Sequence, residues 1–168
     1  MQRPRRTVII SAIGILLIGL ASFAAYELNN SPRTQNDTIA AKPQHELSKD
    51  RLLELVNAER AKVNVAPLIA DSRLGTSAQL KADDMTQNKY YGHDNPKTGK
   101  HGYEYISEVG IYCARDSENL VGATTEEEAV ESWVKSPAHY KAMIDPTNTL
   151  TGFGISNNKI VEHFCVTD

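Results

Sequence analysis

Hydrophobic residues fall into three regimes along the chain. Val8 to Tyr26 holds no charged residue and follows the basic run Arg3, Arg5 and Arg6. As a helix these 19 residues would span roughly 28 Å, about a bilayer core. Basic residues ahead of such a run hold that end in the cytoplasm. The run is long for a signal peptide, which favours an uncleaved N-terminal anchor. A cleaved signal peptide, with Ser22 and Ala24 as small residues before the cut, is the competing reading; a buried core helix is the third. Either of the first two places the rest of the chain in an oxidising compartment. Asn29 to Glu46 is polar, with Pro32 and Pro43, and reads as a flexible linker in which His45 is solvated. The expected organisation is therefore 1–28 anchor or signal peptide, 29–46 linker and 47–168 folded domain.

From Leu47 onward the pattern is helical first and alternating last. Ser48 is a candidate N-cap, Asp50 suits the first turn, and Leu52, Leu55, Val56 and Val63 recur at helical spacing until Pro67. Asp71 caps a second expected helix with Leu74, Ala78, Ala82 and Met85 on one face. Tyr103 to Val109 reads as a short helix closed by Gly110, and Ile111–Cys113 and Glu118–Val121 as short extended pieces. Thr125 and Glu128 form a capping-box pair before Ala129, Val130, Trp133 and Val134. Ser136-Pro137 stops that helix and starts another. Thr151, Phe153 and Ile155 alternate with Gly152 and Gly154, glycines that let another element pack closely. Asn157-Asn158 turns the chain into a returning strand, Ile160 to Val166. Helices followed by a hairpin predict an α+β fold, with helices packed on a small antiparallel sheet.

Composition narrows the class. The 168 residues suit one domain, and two cysteines exclude a disulfide-stapled miniprotein or a four-cysteine zinc site. From Leu47 the chain carries 13 Lys and Arg against 18 Asp and Glu, which argues against a nucleic-acid partner. In an oxidising compartment Cys113 and Cys165 are expected to pair. The alternative, a nucleophilic Cys113, needs a histidine base that nothing local supplies.

No GxSxG, HExxH, P-loop or GxGxxG motif is present. Three polar residues stand out instead: His93 in a turn-rich loop, Glu118 before an apolar pair, and His139 one turn into a helix. Two imidazoles and a carboxylate can hold a divalent metal such as zinc with a position left for water. They can equally form a hydrogen-bonded cluster in a cleft, and convergence of the three in one cleft is the expectation. His101 is expected to be solvated and His163 to have a core or edge role. The acidic run Glu126–Glu128 reads as helix N-terminal charge, and Glu131 as exposed.

The ordered segments LVNAERAKVNVAPLIADSRLGTSAQLKADDM, GHDNPKTG, SENL, AVESWVKSPAHYKAMIDP, TGFGIS and VEHFCV resemble the CAP superfamily (cysteine-rich secretory proteins, antigen 5, pathogenesis-related 1) in its bacterial SCP-like form. The resemblance covers about Leu47 to Asp168. It rests on Asn57, Arg60, Pro67-Leu68, Asp71 and Leu74, on His93 with Pro96 and Gly99, and on Trp133, Ser136, Pro137 and His139. It implies an α-β-α sandwich with a central cleft of two His and two Glu, of which His93, His139 and Glu118 are present. The second Glu position is Ser136, and the glycine expected before the cleft Glu is Ser117. Glu131 and Glu162 are the remaining candidates for a fourth oxygen.

The family is associated with lipid or sterol binding, extracellular signalling and, in a few members, proteolysis, so the fold implies no single reaction. The first expectation is an extracytoplasmic binding or interaction module, not an enzyme, with a protein, lipid or small-molecule ligand and a monomeric domain. No cofactor is required, although zinc could bind. The alternatives are a metal-assisted hydrolase of peptide or ester bonds using His93, Glu118 and His139, or a lipid carrier.

Overall fold

A computed structural model describes residues 46–167. The expected anchor or signal segment 1–28, and the linker up to His45, lie outside the described residues. Among the described residues, no helix is long and apolar enough to cross a membrane.

Ser48 starts the domain by capping α1 (Lys49–Lys62), its side chain accepting from the Arg51 amide. Asp71 caps α2 (Ser72–Gln87) through the amides of Arg73 and Leu74. Between them Ile69–Ala70 forms β1, a two-residue strand. The short helix α3 (Gly102–Glu108) ends at Val109, and Gly110, at a φ of 69°, lets the chain turn away. One strand, β2 (Arg115–Gly122), follows, and Ile111–Cys113 lies ahead of it without joining a strand. Thr125 caps α4 (Glu126–Lys135), and Pro137 opens α5 (Pro137–Met143). The hairpin of β3 (Leu150–Ser156) and β4 (Lys159–Val166) turns at Asn157 and Asn158, both in the left-handed region.

The sheet order is β1-β3-β4-β2. Two of its pairings are antiparallel, but β1 runs parallel to β3, so the sheet is mixed rather than antiparallel. The parallel pair arises because β1 comes before α2, which crosses over the sheet.

The two faces of the hairpin select different partners. Phe153, Ile160 and Phe164 pack with Leu52 and Val56 of α1 and with Ala129, Val130 and Trp133 of α4. The opposite face presents Gly152, Gly154 and Val161, against which α2 lies. A Cβ on Gly152 would fall 2.1 Å from the Gly75 amide nitrogen, and one on Gly154 would fall 2.1 Å from the Ala78 backbone. Only glycine admits the α2 backbone at that distance. The result is an α-β-α sandwich, with α2 and α3 on one face and α1 and α4 on the other. Each fully buried Leu, Val or Phe contributes roughly 1.5–3 kcal/mol to holding it.

Cys113 and Cys165 are bonded, tying the segment before β2 to β4. Glu126 lies in the first turn of α4, as helix N-terminal charge should, but it is 1% exposed, and its Oε1 accepts the Ser48 amide at 2.6 Å, joining α4 to the start of α1.

Candidate functional site

The site grows from the pairing of β2 with β4. That register sets Glu118 opposite His163, with both side chains on the α2 and α3 face. His163 Nε2–H donates to Glu118 Oε2 at 2.9 Å. The same ring meets the hydroxyl of Ser77, on α2, through Nδ1 at 2.7 Å. His93 Nδ1–H donates to the other carboxylate oxygen, Oε1, at 2.7 Å. The chain Ser77–His163–Glu118–His93 thus runs from the interior to the surface: His163 is fully buried, the Glu118 side chain 7% exposed and His93 59% exposed. Gly102, at the start of α3, lies against this carboxylate, and a Cβ there would come within 2.7 Å of Oε1.

Lys81, one turn after Ser77, holds the His93 loop. Its buried ammonium donates to the His93 carbonyl at 2.7 Å and to the Tyr90 hydroxyl at 3.1 Å. The rings of Tyr90 and Tyr105 flank it. Asp84 takes the Tyr90 hydroxyl and the Asn95 side-chain amide, pinning the loop a second time.

Charge follows from these contacts. Burial pushes the Glu118 carboxyl up, but the bonds from His163 and His93 outweigh it and hold the group below its ordinary value. The bond to Glu118 raises His93 against the pull of its own burial. Burial, then the neighbouring His93, lowers His139. Desolvation lowers Lys81 despite Glu118, Asp84 and Asp94.

The structure joins two of the three expected residues, His93 and Glu118, by a direct bond. His139 stands within electrostatic reach of His93, but its ring makes no hydrogen bond among the described residues. Only its main chain is tied in, through the Asn119 side-chain amide at 3.2 Å. No three His, Cys, Asp or Glu among the described residues are grouped to hold a metal.

Neither candidate for a fourth oxygen reaches the cluster. Glu131 pairs with Lys135 on the exposed side of α4. Glu162 neighbours His163 in β4, so the pleat turns it to the opposite face, where it is fully buried. His101 is also less free than expected: it bonds Asp94 at 2.8 Å and stacks on Tyr103.

His163 and Ser77 are the residues that sequence reasoning missed. The phase of His163, opposite to Phe164, was a usable signal, but it needed the β2–β4 register, which couples residues 45 positions apart. Ser77 had no such signal within its helix.

Residues 53–167 match the family model for the cysteine-rich secretory protein (CAP) family. The chain belongs to that family. It is 33% identical over 120 residues to the uncharacterised protein YkwD of Bacillus subtilis, covering 71% of this chain and 46% of that protein. The B. subtilis membrane protein YlbC is 27% identical over 118 residues, covering 70% of this chain and 34% of YlbC. The chain therefore spans less than half the length of either relative. Two solved structures share the fold. One is an extracellular protein with an SCP domain from Bacillus anthracis, with a TM-score of 0.67 at 22% identity, covering 71% of this chain and 40% of that one. The other is an outer surface protein of Borrelia burgdorferi, with a TM-score of 0.64 at 21% identity, covering 71% of this chain and 92% of that one.

Proposed function

We propose that the domain is an extracytoplasmic binding or interaction module whose His/Glu cleft recognises a ligand without turning it over. The observation that carries this reading is the engagement of Glu118, whose two oxygens each accept from an imidazole while its side chain is 7% exposed. Those two charge-assisted bonds, each worth about 1.5–3 kcal/mol, hold the carboxyl below its ordinary value and make it a weak base. What remains for a ligand is His93 Nε2 and the unbonded ring of His139.

Zinc fits this donor set only in part. His93, backed by the Glu118 carboxylate, and His139 offer two imidazole nitrogens, and the carboxylate-backed His93 is a known arrangement around metals. The three-ligand set of His93, Glu118 and His139 that a metallohydrolase would use is not grouped to hold a metal among the described residues. A bound zinc would supply a cationic contact for a ligand. The extracytoplasmic placement is supported by the Cys113–Cys165 bond, by the basic–apolar order of the N-terminus and by the extracellular and outer-surface neighbours.

The test is a panel of peptide and ester substrates incubated with the full chain, with and without zinc. No turnover is expected in either arm. Hydrolysis that is lost on His93→Ala would overturn the reading in favour of the hydrolase.

A further inference from the structure

We infer that the outer edge of β2 at Asp116–Glu118 docks a short extended peptide of another protein, which adds to the sheet beside β2 and passes between His93 and α5. This deepens the binding-module reading and rests on it.

β2 is an end strand of the sheet. Its orientation follows from two bonds. The Ala123 amide donates to the Asn158 carbonyl at 3.0 Å, extending the register that pairs Gly122 with Lys159. In an antiparallel ladder alternate residues turn both main-chain groups toward the partner strand. Val121, Asn119 and Ser117 therefore face β4, while Leu120, Glu118 and Asp116 turn outward. The Trp133 indole donates to the Leu120 carbonyl at 3.1 Å, as an outward carbonyl requires.

Asp116 and Glu118 have no such cover. Neither makes a main-chain hydrogen bond outside the strand pairing among the described residues. The Glu118 side chain is 7% exposed, yet the residue as a whole is not buried, so part of its exposed surface lies on the main chain. Two N–H and two C=O groups thus stand open, about 7 Å apart along the strand. An unpaired strand edge of this kind is a template for another strand.

The surroundings define the occupant. Trp133 closes the edge at Leu120, which limits the docked segment to a few residues. His93 reaches Glu118 on the α2 and α3 face, whereas His139 is tied to Asn119, whose side chain lies on the other face. His93 and the main chain of His139 therefore border the open edge from opposite sides. Tyr91, 56% exposed and within the field of Glu118, borders it. The exposed Asp116 carboxylate has no hydrogen bond or ion pair among the described residues, and Asp94 is held only by His101. A Lys or Arg on the docked peptide would complement the Asp116 carboxylate.

The probe is a random linear peptide library panned against the full chain in detergent. The enriched peptide is resynthesised with a single N-methyl group at each position in turn. Alternate positions are expected to lose roughly fivefold or more in affinity and the intervening ones little, since each blocked main-chain bond is worth about 1 kcal/mol. Asp116→Pro removes an outward N–H and spares the bonds to β4, as edge prolines do; it is expected to weaken binding about tenfold. Asp116→Asn should keep binding and lose the preference for a basic residue. An unchanged unfolding midpoint confirms the fold of each variant, and the N-methyl scan decides the matter if Asp116→Pro does not fold. Failure to enrich any peptide, or a scan without alternation, overturns the docking site and leaves the binding-module reading intact. Cleavage of a peptide that shows the alternation overturns the module reading and leaves the docking site standing.

Discussion

Glu162 is a buried carboxyl whose protonation the fold controls strongly. It is fully buried between the sheet and the α1 and α4 layer; Oε1 accepts from Thr151 at 3.2 Å, and Oε2 has no hydrogen-bond partner among the described residues. Burial pushes its carboxyl up to about 8 from an ordinary 4.5, against the smaller opposing effects of Thr151, Asn119 and Arg60. Arg60 offsets this only in part, and its guanidinium donates instead to the carbonyls of Ala66, Met143, Asp145 and Asn148. Between pH 4.5 and about 8 the folded chain keeps a proton that the unfolded chain releases, so stability must fall as pH rises through that window. At about 1.4 kcal/mol per pH unit, the loss reaches about 3 kcal/mol by neutral pH. Glu162→Gln has no proton to lose and keeps the shape. Urea unfolding of the full chain in detergent, at about pH 4 and about pH 7, should show the variant gaining about 3 kcal/mol on the parent between the two conditions. A fixed cost of the amide would shift both points equally and leave that difference intact. Parallel stability profiles for the two proteins would refute the reasoning.

Glu118→Gln removes the charge that raises His93, so the His93 midpoint followed by NMR should move down; an unmoved midpoint would contradict the pairing. Gly154→Ala places a methyl where the Ala78 backbone stands and should cost about 3 kcal/mol in chemical unfolding, with α2 displaced along with Ser77 and Lys81. Cys113→Ser with Cys165→Ser opens a link spanning 52 positions and should cost ~4 kcal/mol, read by thermal unfolding against the oxidised parent. Zinc calorimetry should show any binding lost in both His93→Ala and His139→Ala; binding that survives either change would place the metal elsewhere.

Local chemistry settled much of this protein before any long-range contact entered. Ser48, Asp71 and Thr125 cap helices because their side-chain oxygens reach amides only two or three residues away. Asn157-Asn158 makes its turn because both residues tolerate the left-handed region. The alternation of Thr151, Phe153 and Ile155 with Gly152 and Gly154 already sorted the hairpin into a bulky face and a bare one. Tertiary structure decided what depends on register. One residue of phase separates His163, bonded to Glu118, from Glu162, sealed on the far side of the sheet. Nothing in VEHFCV alone says which of the two meets Glu118, because that is fixed by the pairing of β4 with a strand some 45 positions earlier. The same holds for β1, whose two residues become a strand only because β3 lies beside them. It holds also for Glu126, which reads as helix-end charge until the start of α1 arrives to be bonded.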